Sequence, residues 1–247
     1  MKQFKPMQLW NVLYPVFLYY AVTILILSVV DFFLPRPMDF ALLRQLITSV
    51  AVFPFLYKWY RAELFFEKKD VRIPFIAVAF LTGGCFAVAL NNLLGMVRIE
   101  DYSASYGQVE QTFYTGRLLI EIVALCVVIP LVEEFLYRGM VYGRAKAWLG
   151  VKPAAVVSAV IFGVVHMNLV QFVYAAVFGV LLAYLAEQGG SIWCAVAAHM
   201  AANFTSVLRA ETGVFSFLER GMAVQAVVML LMFGAAAGGV YWIKCLK

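Results

Sequence analysis

Between Pro153 and Ala186 the chain runs 34 residues without a formal charge. A soluble helix keeps a polar face and a soluble strand alternates, so a stretch of this kind belongs in lipid. It is too long for one crossing, which takes about 20 residues at 1.5 Å rise each, and just long enough for two. Met167-Asn168 is the expected hairpin. Similar blocks recur along the sequence and predict eight helices, at about 10–34, 40–58, 73–97, 118–147, 153–168, 169–187, 191–208 and 221–243. The second is interrupted by Arg44, and Gly150 and Gly189-Gly190 punctuate other turns. The blocks are continuous rather than alternating, which excludes a transmembrane barrel. At 64% hydrophobic residues and 13% charged ones, the chain lies outside the soluble range. No interval between blocks exceeds about 20 residues, so residues 1–247 are expected to form a single all-α transmembrane domain.

Val12 to Val30 is free of charge and no small-residue cleavage site follows it, so it reads as a retained span and not a signal peptide. Cys85, Cys126, Cys194 and Cys245 show no metal-type spacing. The net charge of +5 does not point to nucleic acid, because the cations lie in short loops, where they set membrane orientation. Twelve lysines and arginines fall on the side of the N-terminus and six (Arg36, Arg44, Arg98, Arg117, Arg209 and Arg220) on the other, with Arg138 set aside. Eight spans with both termini cytoplasmic satisfy this bias. The segment from Arg98 to Thr115 is then external and reads as a connection rather than a lid.

Titratable side chains at bilayer depth cost several kcal/mol, and each marks a functional hypothesis. Glu133, Glu134 and Arg138 lie in the fourth block, His166 ends the fifth, and His199 and Asn203 lie in the seventh. His166 and His199 are the two histidines of the chain. Glu133 and His166 are each 13 residues from the basic ends of their helices, roughly 20 Å. His199 lies roughly 12 Å deep on the same scale. All three are therefore expected to meet in one intramembrane cavity that opens to the cytoplasm. Glu134 and Arg138, at i and i+4, are expected to pair, leaving Glu133, about 100° away, free to act. His199 and Asn203 share a face at the same spacing. Glu121, four residues after Arg117, reads as an interfacial ion pair, and Asn91 and Asn92 as packing residues between helices.

Peptide hydrolysis requires a base for water and donors for the developing oxyanion. Glu133 supplies the first. His166 orients the same water or passes the proton to the leaving amine, and His199 and Asn203 serve the oxyanion. The order Glu-Glu-x-x-x-Arg, Phe-x-x-x-His, His-x-x-x-Asn, from about 119 to 207, resembles the CAAX protease and bacteriocin-processing family of intramembrane proteases, including type II CAAX prenyl endopeptidases. The resemblance implies a catalytic set of Glu133, His166, His199 and Asn203 supported by Glu134 and Arg138. It also implies a membrane-associated or prenylated peptide as substrate, alongside the lipid that surrounds the protein. It leaves two mechanisms open, one using glutamate without metal and one using zinc held by Glu133, His166 and His199. A proton-coupled transporter and a non-catalytic peptide-binding immunity protein are the competing functions. The clustering of polar residues in one half of the chain argues against the first, and the pairing of a base with an oxyanion site against the second.

Overall fold

A computed structural model describes residues 6–34, 40–63, 65, 73–103, 105–114 and 117–246. Among the described residues all regular structure is helical. The elements are α1 (Pro6–Phe33), α2 (Ala41–Glu63), α3 (Ile73–Met96), the short α4 (Tyr106–Phe113), a long helix α5 over 118–149, α6 (Val151–Val164), α7 (Leu169–Gly189), α8 (Ile192–Glu211) and α9 (Met222–Cys245). The eight expected helices are all present, and α2 extends five residues beyond its expected end. Four of them, α1, α3, α7 and α9, are long and apolar enough to cross a membrane by length and composition. Their outer faces carry exposed side chains such as Phe17, Ile24, Leu25, Leu230 and Leu231. Water would penalise these at about 25 cal/mol per Å², whereas lipid does not. The chain is an integral membrane protein.

Arg44 interrupts the second apolar block without breaking α2, because its guanidinium lies 3.3 Å from Asp31 at the end of α1. The α6–α7 hairpin turns at Met167, whose φ is 58°, and Asn168 caps α7 by accepting the Gln171 N–H at 2.9 Å. That is the turn the uncharged run required. Gly150 and Gly190, with φ of 85° and 63°, end α5 and α7 in backbone conformations that suit glycine.

The core centres on α5. From Val132 to Tyr142 all side chains but that of Glu133 are buried, as expected for a helix enclosed on every side. The helix is not uniform, since residues Ile122–Val128 and Tyr137–Tyr142 form π-helical turns on either side of the α-helical Ile129–Leu136. Such turns widen the coil and rotate the residues beyond them about the helix axis. Around α5, α3 packs against α8 and α9, and α6 against α7. Where α3 crosses α8, Gly83 lies so close to the Ala198 backbone that a Cβ would overlap the carbonyl. Small residues at crossings let helix backbones approach in lipid, where packing drives association.

Two ends of the bundle can be told apart. At the first, Arg144 donates to the Asn11 carbonyl at 2.7 Å and pairs with Glu63, while Lys146 pairs with Glu187 at 2.7 Å. This end gathers the start of α1 and the ends of α2, α5 and α7. At the second lie the Asp31–Arg44 pair, α4, the α6–α7 hairpin and the end of α8, where Arg209 donates to Asn92 at 3.1 Å. Asn92 thus links helices, as expected. Of the cations used to orient the chain, Lys2, Lys5, Arg36, Lys68, Lys69, Arg72 and Lys247 lie outside the described residues.

Replacing Gly83 with alanine should force α3 away from α8 and destabilise the protein by about 1–3 kcal/mol. Gly84→Ala, whose Cβ would meet Ala201 at an ordinary 3.6 Å, should be tolerated. Thermal unfolding of both variants in detergent, read by circular dichroism, checks the contrast.

Candidate active site

A cavity of about 520 Å³ lies toward the second end and is lined by Glu133, His166, His199 and Asn203, all four residues expected to carry chemistry. They come from three helices, or from their ends: Glu133 from α5, His166 from the turn after α6, and His199 and Asn203 one turn apart on α8.

The lining residues give the cavity's place in the bundle. Part of the wall comes from α4, with Tyr106 and Glu110, from Tyr114 just after it, and from Gln171 at the start of α7. The cavity therefore lies toward the end of the bundle opposite the Arg144–Glu63 and Lys146–Glu187 pairs. The depth arithmetic contains the reason. A group roughly 20 Å from the basic end of a core about 30 Å thick is nearer the far surface. Within the segment 98–115, expected to be a connection, Tyr106–Phe113 form a helix that walls the cavity.

The floor is an ion network. Arg138 donates from Nη1 to Glu134 Oε1 at 2.9 Å and from Nη2 to the Gly179 carbonyl at 3.1 Å, and both charged side chains have no exposed surface. The pair at i, i+4 is the one the sequence predicted. Beyond it, the same Glu134 oxygen lies 2.7 Å from His199 Nδ1. A carboxylate can only accept in this contact, so Nδ1 carries the proton and Nε2 is the nitrogen left for chemistry. Nε2 faces Glu133 Oε2 at 3.7 Å. Glu134 thus links the Arg138 guanidinium to the His199 imidazole. Gly179 is constrained by this arrangement, since a Cβ there would lie 2.9 Å from Arg138 Nη2.

Each remaining side chain is held by backbone. His166 Nδ1 lies 2.8 Å from the Phe162 carbonyl, four residues earlier on α6, and must donate to it, which leaves Nε2 bare in the neutral ring. Asn203 donates from Nδ2 to the Leu125 carbonyl at 2.7 Å. Leu125 sits inside the first π-helical stretch of α5, where a carboxamide from another helix binds a main-chain carbonyl. One N–H of the Asn203 carboxamide remains uncommitted by this bond. Phe162 is the apolar centre of the group. Its ring meets His166 and His199 edge-on, with centroids 5.0 and 5.8 Å away, and the Arg138 guanidinium lies 4.6 Å from its centroid.

Glu133 differs from Glu134 in the way the 100° helical offset predicted. Its side chain keeps 24% exposure, toward the cavity, while that of Glu134 has none. Among the described residues, no three His, Cys, Asp or Glu side chains are gathered as a metal-ligand set. Glu133, His166 and His199 share the cavity without being drawn together in that way.

Sequence reasoning missed several lining residues. Tyr20 from α1 reaches the cavity, with its hydroxyl 3.4 Å from that of Tyr137, and Asn91, expected to be a packing residue, also lines it. A Tyr in an apolar span reads as an interfacial aromatic, and nothing local distinguishes Tyr20. Glu121 is fully buried and accepts the Arg117 backbone N–H at 3.2 Å.

Fold and site together define an integral membrane protein with a carboxylate, two imidazoles and a carboxamide around an intramembrane cavity. Residues 115–205 match the family described as Type II CAAX prenyl endopeptidase Rce1-like. The chain is also 26% identical over 141 residues to "Putative membrane peptidase YdiL" of Bacillus subtilis (strain 168). That alignment covers 55% of this chain and 56% of the relative, so the chain spans about half the length of the curated relative it matches. No solved structure gives a significant match. The two matches show the likeness to the CAAX protease and bacteriocin-processing family that the three motifs carry.

Truncating Arg138 to alanine would leave Glu134 buried without its cation, with only the His199 imidazole as partner, which costs about 3–5 kcal/mol. The variant should lose most of its folded population in detergent. Glu133→Gln, at a site with no ion pair of comparable burial, should unfold near the wild-type temperature. Equal midpoints for R138A and the wild type would show that the pair does not hold the floor together.

Proposed function

We propose that this protein is an intramembrane endopeptidase that hydrolyses a peptide bond of a membrane-associated peptide or protein tail, with α1–α3 and α5–α9 as its eight membrane helices. The observation that carries the reading is the meeting of Glu133, His166, His199 and Asn203 in one cavity, within the stretch that matches an endopeptidase family. The prenylated tails named in the family's description are one such substrate.

In this reading a water sits between Glu133 and the substrate carbonyl. Glu133 removes its proton as the oxygen attacks the carbonyl carbon, and the bare Nε2 of His166 accepts the water's other hydrogen bond. The carbonyl electron pair moves onto its oxygen. The free N–H of Asn203 meets that oxyanion, and His199 contributes through Nε2 when the ring is protonated, its Nδ1–H held on Glu134. Collapse of the tetrahedral intermediate breaks the C–N bond, and the proton held by Glu133 passes to the departing amine. The products are a carboxylic acid and an amine, and the carboxylate base is regenerated. The charge that develops is met by donors already in position, so little reorganisation is needed.

Glu133→Gln should abolish cleavage while leaving insertion and folding intact, measured as turnover of a fluorogenic membrane peptide in proteoliposomes. Full activity in that variant would remove the base. Asn203→Ala should lower kcat by about 10²- to 10³-fold with little change in KM, as for loss of an oxyanion donor. A rise in KM alone would make Asn203 a recognition residue. Exhaustive chelation should leave the rate unchanged and purified protein should hold no stoichiometric zinc. Loss of activity restored by added zinc would favour the metal mechanism.

A further inference from the structure

We infer that the cavity carries, beside the residues assigned to hydrolysis, a subsite for a cationic side chain formed by Tyr106, Glu110, Tyr114 and Tyr174. The preferred substrate then has a lysine or arginine within about four residues of the bond that is cut. That this side chain belongs to a peptide being cleaved rests on the endopeptidase reading, whereas the affinity of the wall for a cation does not.

The first observation is charge. Two formally charged side chains line the cavity, Glu110 and Glu133, and both are carboxylates; none of the lining residues is lysine or arginine. Glu133 faces His199 Nε2 at 3.7 Å, whereas Glu110 has no ion-pair partner among the described residues. A wall of this kind attracts a cation and repels an anion.

The second observation is what surrounds Glu110. Tyr106 precedes it by one turn of α4, and the Tyr114 N–H donates to its main-chain carbonyl at 2.9 Å, so two phenols flank one carboxylate. Both phenols interact electrostatically with Glu110. Tyr174 of α7 interacts in turn with Tyr106 and Tyr114. Its hydroxyl is buried and has no hydrogen-bond partner among the described residues. Buried hydroxyls are seldom left so, and the cavity that Tyr174 lines is where a partner can enter.

A carboxylate among aromatic rings is the chemistry of cation recognition. The carboxylate meets the charge, ring faces attract it, and phenol oxygens accept its N–H groups. An apolar side chain would leave these groups unpaired, which costs free energy. Lysine and arginine also carry an aliphatic stem, and Val109, Phe113 and Val170 on the same wall suit it. The Tyr174 ring stacks on Phe178 at 5.8 Å, and Phe178 meets the His199 ring at 6.0 Å. About four extended residues, at roughly 3.3 Å each, cover those two steps. The cation therefore sits within reach of the bond presented to Glu133.

The test uses the full-length protein in nonionic maltoside micelles, which have no surface charge to gather a basic peptide. The probes are fluorogenic membrane peptides identical except at one position, which is lysine, norleucine or glutamate, and that position is moved stepwise on both sides of the bond that is cut. At one position the lysine peptide should show a KM about tenfold below that of the norleucine peptide, the factor expected for one charge pair. E110Q should erase this difference, E110K should turn the preference to glutamate, and Y174F should weaken it. A lysine preference that survives E110Q, or equal KM for lysine and norleucine at every position, would overturn the inference and leave the endopeptidase reading standing. If E110K does not fold, E110Q decides. Adding phosphocholine detergent should leave the lysine-to-norleucine ratio unchanged; its loss would assign the subsite to a lipid headgroup and overturn the inference as well. Binding is read apart from cleavage by fluorescence anisotropy of labelled lysine and norleucine peptides on E133Q. Tighter binding of the lysine peptide that is lost in the E133Q/E110Q double variant, with no cleavage of any peptide by the wild type, would sink the endopeptidase reading and leave the cation subsite standing.

Discussion

The structure depends on a buried guanidinium. Arg138 lies in the middle of the bundle with no exposed surface, and it stays charged there because Glu134 and the Gly179 carbonyl accept its hydrogen bonds while Phe162 presents its ring. Desolvating such an ion is costly, and only near-complete pairing offsets the cost. Once made, the pair fixes much else. Glu134 is held by a group that cannot move, so the imidazole bonded to it, His199, is held too, in the tautomer that turns Nε2 toward Glu133. A structural ion pair thus sets the tautomer of the imidazole beside Glu133.

The same pair separates the roles of two adjacent glutamates. Glu134 points inward to the cation and has no exposed surface. Glu133 points to the cavity and keeps contact with it. Successive residues of a helix differ by 100°, and that rotation separates a buried, paired carboxylate from one that faces the cavity. The aromatic ring of Phe162 packs against both imidazoles and the guanidinium. The same low-polarity surroundings strengthen every electrostatic contact inside.

The π-helical turns on α5 carry the remaining geometry. A uniform α-helix engages its interior carbonyls in its own ladder. The widened coil at Ile122–Val128 coincides with the Leu125 carbonyl accepting from Asn203, which ties α8 to α5 one turn beyond His199. The second π-helical stretch begins at Tyr137, directly after the Glu133–Leu136 turn, and carries Arg138 itself. Irregular backbone of this kind is tolerated at membrane depth where it is enclosed by protein.

Much of this is legible in one dimension. The uncharged runs determine helices, because lipid offers no partner to an open backbone and no reason for a polar face. The i, i+4 spacing determines the Glu134–Arg138 pair, and the 13-residue offsets of Glu133 and His166 put two reactive groups at one depth. What the sequence could not hold is anything that depends on rotation about a helix axis. The Glu134–His199 bond, the anchoring of Asn203 on Leu125, the approach of Tyr20 and the wall made by α4 all join residues far apart in the chain. They are decided only when α1, α4, α5 and α8 pack together, because side-chain packing fixes the azimuth of each helix, whereas hydropathy fixes only its length.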